Sequence, residues 1–170
     1  MKTAVISYSY TGNNDALANS VARELTADHI QISEKKPRTM GTIALDMLIS
    51  RTPKVNVNPD ILKKYDMVLF FAPIWMGYVA SPLRSHLKYL KKHPQKYGFF
   101  SISGGADSDN PKLKGELKKR TGAEPEIYLD LHIADLLSKP NPTRKDTSAY
   151  KLNDKDIKQL TDVIVKEIKK

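Results

Sequence analysis

Short apolar runs recur along the chain and are separated by longer segments with more widely spaced apolar residues. The run at residues 68–72 is continuously apolar (Val-Leu-Phe-Phe-Ala), which is typical of a strand covered on both faces. A similar run at residues 99–102 follows Tyr97 and Gly98 and is interpreted in the same way. The pattern predicts five strands, at residues 4–6, 29–32, 68–72, 99–102 and 127–131.

The segments between these runs have helical periodicity. After the first strand, Leu17, Val21 and Leu25 fall at i, i+4 and i+8, on one face of a predicted helix. Ser81 and Asn110 are each followed by proline, so we expect them to cap two further helices.

A last helix is expected to begin at Asn153, with Asp156 three residues later, and residues 43–49 are expected to form a short additional helix. Residues 138–150 contain two prolines among polar neighbours and predict a surface loop. Neither repeats nor a linker interrupt the pattern, so residues 1–170 are expected to form one domain.

Strands that alternate with helices indicate a parallel sheet with right-handed crossovers. Five strands with four or five helices fit a three-layer α/β/α sandwich, class α/β, with the strand order 2-1-3-4-5. In such a sheet, ligands bind beyond the carboxyl ends of the strands, at the switch point between the first and third strands. Residues that follow those strands are therefore the candidate site.

Composition excludes several classes of function. The 170 residues include no cysteine, which excludes disulfides, thiolate catalysis and Cys-based metal sites and fits a cytoplasmic protein. The chain opens without a signal-peptide pattern, and its apolar runs are too short to insert into a membrane. The four histidines are scattered without metal-ligand spacing, and we expect each at the surface or at a cap: His29, His86, His93 and His132.

The formal charge of +9 is concentrated in residues 84–120, which carry ten lysines and arginines against three carboxylates. Such a segment can bind nucleic acid, an anionic membrane or an acidic protein. Its lysines, however, lie at helical spacings opposite apolar residues, and few aromatic residues interleave with them. We interpret the segment as a lysine-rich solvent face and consider nucleic-acid binding the weaker alternative.

The segment between the first strand and the first helix predicts a phosphate site. It contains hydroxyls at Ser9 and Thr11, a glycine at position 12 and an amide side chain at Asn14. Hydroxyls, the unpaired N–H groups of a first helical turn and the helix dipole together attract an anion. An ordinary helix cap is the alternative interpretation of the same residues.

The segments after the third and fourth strands differ in chemistry from the first. One contains Trp75, the single tryptophan of the chain, followed two residues later by glycine, and suits a flat heteroaromatic ring. The other contains Gly104 and Gly105, which let the backbone approach a ligand closely. Because all three segments fall at one edge of the predicted sheet, together they predict a mononucleotide site.

At these positions the sequence resembles the flavodoxin family. Ser9-x-Thr11-Gly12-Asn13-Asn14 is similar to the phosphate loop of that family, and Pro73-x-Trp75 and Ser103-Gly104-Gly105 are similar to its two flavin loops. The resemblance implies a flavodoxin-like fold with non-covalently bound FMN. The binding residues that it implies are Ser9, Tyr10, Thr11, Gly12, Asn13 and Asn14 in the first loop, Pro73, Ile74, Trp75, Met76, Gly77 and Tyr78 in the second loop, and Ser103, Gly104, Gly105 and Asp107 in the third loop.

The chain departs from the family in three respects, the first of which is Asn14 at a position that is commonly threonine. Its third loop has no aromatic residue to cover the second flavin face, and its charge is basic where electron-shuttling flavodoxins are acidic. We find no catalytic constellation and expect the flavin to carry the chemistry. Three functions are compatible with the sequence: an electron carrier for a redox partner protein, an NAD(P)H-dependent FMN or quinone reductase with a nicotinamide donor, and a non-catalytic binding module. The sequence is compatible with both a monomer and a homodimer.

Overall fold

The computed structural model describes residues 1–34, 39–105 and 110–170, except the side chains of Met40 and Met47. The strands, in chain order, are β1 (Thr3–Ser7), β2 (Asp28–Gln31), β3 (Met67–Phe71), β4 (Ile74–Trp75), β5 (Tyr78–Val79), β6 (Lys96–Ser103) and β7 (Ile127–His132). All but β4 and β5 form a parallel sheet in the order β2-β1-β3-β6-β7, which confirms the predicted order.

Helices cover both faces of this sheet. They are α1 (Asn13–Glu24), α2 (Met40–Leu48), α3 (Arg84–Lys92), α4 (Leu113–Thr121), α5 (Arg144–Ser148) and α6 (Asp154–Ile168). The apolar residues of α1 and α6 pack in one core, and those of α3 and α4 pack in the other. This arrangement confirms the α/β/α sandwich. Within the described residues, no helix combines the length and the apolarity needed to cross a bilayer.

The central strand β3 separates the two cores. Val68 and Phe70 point into the core beneath α3 and α4, whereas Leu69 and Phe71 point into the core beneath α1 and α6. All four are fully buried. Burial of each such side chain contributes about 1.5–3 kcal/mol, so the continuous apolar run is what fixes β3 at the centre of the sheet.

Strand β6 begins earlier than predicted. Gly98, which precedes the predicted strand, lies inside β6 and pairs with Leu69 on one side and Ile127 on the other. A Cβ at this position would lie 3.1 Å from Leu69 Cδ2 and 3.1 Å from Phe100 Cε2. The glycine therefore permits close packing in the sheet rather than a change of chain direction.

Two of the three predicted helix caps are wrong. Ser81 begins a 3-10 turn, and its buried hydroxyl has no hydrogen-bond partner within the described chain. Asn110 donates from its side chain to Asp130 Oδ2 (2.8 Å) and does not cap α4. The cap at Asn153 is confirmed, because its side chain accepts a hydrogen bond from the Asp156 N–H (3.0 Å).

The segment 138–150, predicted as a surface loop, contains the short helix α5. The Thr143 N–H donates to the Asp146 carboxylate (2.7 Å), which forms half of a capping box and starts the helix. The Thr-x-x-Asp pattern that opens this helix is present in the sequence, but the sequence analysis did not identify it.

His86 is fully buried in α3, so its expected place at the surface is wrong. Its Nδ1 is 3.2 Å from Ser85 Oγ, and its Nε2 has no hydrogen-bond partner among the described residues. Burial lowers the pKa of His86 from 6.5 to about 4. The imidazole is therefore neutral in the folded protein at pH 7.

Acidification should destabilise the protein through His86. The pKa of His86 is lower in the folded than in the unfolded protein, so the unfolded state binds a proton more tightly. The folded protein therefore keeps its full stability above pH 6.5 and loses stability as the pH falls towards 4. We expect this group to remove about 3 kcal/mol of unfolding free energy by pH 4. Urea unfolding at pH 7 and pH 4 should show a smaller loss in His86→Leu than in a variant of the exposed His93, His93→Gln. Equal losses in the two variants would contradict this assignment.

Candidate functional site

The first, second and third loops lie at the carboxyl ends of β1, β3 and β6, which are neighbours in the sheet. The first loop comprises residues 9–14, the second 73–78 and the third 103–107. The structure thus brings the described residues of all three loops to one edge of the sheet. Asp107 lies outside the described residues.

Ser9 organises the first loop. Its Oγ accepts hydrogen bonds from the Gly12 N–H (2.9 Å) and the Asn14 N–H (3.2 Å). Two accepted bonds leave the hydroxyl proton available for an external acceptor. Gly12 has φ 95°, a left-handed conformation that favours glycine, and forms the N-cap of α1. Within the described chain, the N–H groups of Asn13 and Asp15 have no acceptor and remain available to an anion.

The side chains of Asn13 and Asn14 are buried and bind the protein itself. Asn14 Nδ2 donates to the Ile102 carbonyl (3.1 Å), and its Oδ1 accepts from the Ile102 N–H (3.1 Å). Asn13 Nδ2 donates to the Tyr150 carbonyl (2.9 Å), and its Oδ1 accepts from the Leu152 N–H (3.2 Å). We expected the side-chain amide of Asn14 to face the phosphate, but it binds Ile102 instead. Both asparagine side chains therefore position the first loop.

Lys151 is a residue of this site that the sequence analysis missed. Its Nζ donates to the Thr11 carbonyl and lies 4.0 Å from the position that a Cβ on Gly12 would occupy. An ammonium group is therefore held beside the first loop. Lys151 is far from the loop in sequence, and no local pattern signals the contact.

Asp15 and His29 are two further ionisable residues close to the start of α1. Gln31 Nε2 donates to Asp15 Oδ2 (2.6 Å), which turns this carboxylate towards β2. Burial lowers the pKa of His29, and the nearby Asp15 charge opposes the shift. His29 is consequently neutral at pH 7, and among the described residues we identify Lys151 and the N-terminal end of α1 as positive groups beside the first loop.

The second loop forms a β-hairpin, in which β4 pairs with β5. Met76 and Gly77 connect the strands with φ values of 52° and 81°, as a two-residue type I′ turn requires. Trp75 is half-buried, as expected, and its ring meets the Tyr8 ring edge-on at 5.8 Å. Tyr78 pairs with Trp75 across the hairpin and is 47% exposed.

The two glycines of the third loop allow close packing against residues that follow β6 in the chain. A Cβ at Gly104 would lie 2.9 Å from Thr147 Oγ1, and a Cβ at Gly105 would lie 2.4 Å from His132 Cβ. Gly105 also has φ 72°. The His132 ring lies 3.5 Å from the Asp130 carboxylate, measured from Nε2 to Oδ2. Neither His132 nor Thr147 was identified from the sequence, because both contacts are long-range.

Gly105→Ala should destabilise the protein, because the added Cβ would overlap His132 and occupy a left-handed conformation. We expect a loss of more than about 1 kcal/mol in the free energy of unfolding, measured by urea denaturation. The control is Gly115→Ala in α4, where the added Cβ meets no atom within 4 Å. That change should stabilise the protein by about 0.5–1 kcal/mol. A stable Gly105→Ala variant would contradict the described packing of the third loop.

No family model and no curated protein sequence matches the chain. Its fold is nevertheless similar to solved structures. A flavoprotein from Lactobacillus acidophilus NCFM in complex with FMN has a TM-score of 0.65 at 20% identity, over 79% of this chain and 95% of that one. A proposed flavoprotein from Bacteroides eggerthii DSM 20697 has a TM-score of 0.66 at 19% identity, over 96% and 98%.

Oxidised flavodoxin 1 from Bacillus cereus has a TM-score of 0.54 at 16% identity, over 99% of this chain and 98% of that one. Identities at this level establish the fold alone. The strand order, the flanking helices and these likenesses agree with the resemblance found in the sequence. The chain therefore has the flavodoxin-like fold.

Proposed function

We propose that the chain binds FMN non-covalently between the three loops and carries electrons as a flavodoxin-like redox protein. The proposal is carried by the convergence of the three loops at the switch point of the sheet, where β1 lies between β2 and β3. In doubly wound sheets of this strand order, the crevice at that point is the ligand site.

The first loop suits the phosphate of FMN. The Ser9 hydroxyl and the N–H groups of Asn13 and Asp15 offer hydrogen-bond donors at the N-terminus of α1. Thr11 offers a further hydroxyl, and Lys151 adds a cation. A dianionic phosphate would therefore meet both neutral and charged donors, and charge-assisted bonds are the stronger kind.

The second and third loops suit the ring system. The hairpin offers the half-buried Trp75 as a flat apolar surface, next to Tyr8 at the end of β1. Thr147 and His132 pack against the Cβ positions of Gly104 and Gly105, so these two residues offer only main-chain groups to the polar edge of a ring. Ser103 lies at the end of β6, at the entrance to this loop.

Bound FMN supplies the electron-transfer chemistry, and the residues of the three loops bind, orient and shield it. The partner that we propose is a redox protein. A reductase with a nicotinamide donor is the second candidate, favoured by the open outer side of the hairpin, where Met76 is 79% exposed. Rapid mixing of the FMN-loaded protein with NADH or NADPH separates the two, because a carrier bleaches no faster than free FMN.

The double variant Ser9→Ala/Lys151→Gln should lose FMN affinity but keep riboflavin affinity, because riboflavin lacks the phosphate. Each charge-assisted hydrogen bond removed should cost about 1.5–3 kcal/mol of FMN binding, measured by titrating flavin fluorescence. The matched control Ser148→Ala/Lys155→Gln changes two exposed residues that belong to none of the three loops and should bind both flavins like the parent. Unchanged FMN affinity in the first variant would refute the phosphate assignment.

A further inference from the structure

The lysine-rich solvent face predicted from the sequence is confirmed for α3 and α4, and it borders a cavity. Five lysines of the two helices are exposed, as expected: Lys88, Lys91, Lys92, Lys118 and Lys119. Between these helices, the end of α2 and the hairpin lies a cavity of about 860 Å³. Cavities of about 300–1,000 Å³ are typical of small-molecule sites, whereas docking surfaces for proteins are flatter.

Cations predominate in the lining of this cavity. Five cationic side chains and one carboxylate line it, a formal excess of four positive charges (5 − 1). The carboxylate of Glu116 pairs with Arg120 Nε. Within the described residues, Lys88, Lys91 and Lys119 form no ion pair, and Lys91 Nζ donates to the Lys119 carbonyl (3.3 Å). Three cationic groups are thus available to a ligand.

Lys88 and Lys91 lie on the same face of α3 as Arg84, at i+4 and i+7 from it. Arg84 is buried at the base of this row and donates from Nη1 to the Arg51 carbonyl (2.8 Å) and the Asp46 carbonyl (3.4 Å). These bonds tie the start of α3 to α2, through Asp46, and to the segment that follows α2, through Arg51. Lys88 and Lys91 therefore lie on a helix whose N-terminal end is fixed by hydrogen bonds.

The part of the lining that comes from the end of α2 and from the hairpin is apolar and accessible. Leu48 is 83% exposed at the end of α2, and Met76 and Tyr78 project from the hairpin. Single exposed apolar residues are common, but here three of them border the same cavity as the lysines. An apolar ligand body that covers these side chains would gain about 25 cal/mol of binding free energy per Å² of apolar surface removed from water.

From this pairing of apolar and cationic walls we infer that the cavity binds an amphipathic organic phosphate. Its aryl or alkyl body contacts Leu48, Met76 and Tyr78, and its phosphate lies among Lys88, Lys91 and Lys119. Phosphate carries close to two negative charges at neutral pH, so several lysines hold it better than they hold a single carboxylate.

The cavity and the proposed FMN site are distinct but adjacent. They share the second loop, since Met76 and Tyr78 line the cavity while Trp75 contacts Tyr8 beside the first loop. The lysines of the cavity belong to α3 and α4, and the phosphate donors of the FMN site belong to α1 and Lys151. The inference rests on the cavity alone and does not require that FMN binds.

The test uses three probes with the full chain: 1-naphthyl phosphate, 1-naphthol and inorganic phosphate, each titrated by isothermal calorimetry. We expect one saturable site for 1-naphthyl phosphate. The other two probes should bind at least about tenfold more weakly, because 1-naphthol lacks the phosphate and inorganic phosphate lacks the aryl ring. Absence of saturable 1-naphthyl phosphate binding, or equally tight binding of 1-naphthol or inorganic phosphate, would overturn the inference.

Two variants locate the binding. Lys88→Gln/Lys119→Gln should weaken 1-naphthyl phosphate about tenfold or more and leave FMN binding unchanged. Ser9→Ala/Lys151→Gln should do the reverse. Loss of 1-naphthyl phosphate binding only in the second variant would mean that the probe occupies the first loop, which also overturns the inference. Lys158→Gln/Lys166→Gln on α6 is the matched control, with two exposed lysines removed from the other face of the sheet.

Discussion

The pair of hydrogen bonds between the Asn14 side chain and the main chain of Ile102 fixes the geometry on which the candidate site depends. One amide donates to the carbonyl and accepts from the N–H of the same residue, so the start of α1 is held against β6 in both distance and orientation. Both partners are buried, and leaving them unpaired would cost about 1–3 kcal/mol for each group. The first and third loops are thereby held at a set separation.

Asn13 extends this constraint to the C-terminal part of the chain. By binding Tyr150 and Leu152, it places Lys151 between them, beside the Thr11 carbonyl. The Tyr150 hydroxyl in turn donates to Asp156 (2.7 Å) in the first turn of α6. Two adjacent asparagines therefore connect the first loop to a strand on one side and to a cation on the other. The loop enters binding already ordered, which lowers the entropic cost of capturing a ligand.

The fold could be predicted from the sequence because its strongest signals are local. Continuous apolar runs and helical spacing identified the five sheet strands and the major helices, and alternation of strands with helices gave their order. The errors arose where a long-range contact decides the local structure. Strand β6 contains Gly98 at a position where Leu69 and Phe100 leave little room for a Cβ. The Asn110 side chain donates to Asp130 and does not cap α4.

The candidate site shows the same division. The loop positions follow from the strand order, and the sequence motifs therefore fall at the predicted edge. The roles of individual side chains depend on residues far away in the chain, as with Lys151 and with His132 beneath Gly105. The cavity between α3 and α4 needed the structure too, because its lining comes from four separate elements.

The most direct test of the three-loop site is a titration of the isotope-labelled protein with FMN, followed by amide and indole NMR shifts. We predict that the amides of Asn13, Asp15 and Gly105 and the indole of Trp75 shift together and saturate at one equivalent of FMN. Amides in the middle of α4 and α6 should stay unchanged. Absence of shifts in the three loops, or shifts confined to the cavity between α3 and α4, would contradict the proposed FMN site.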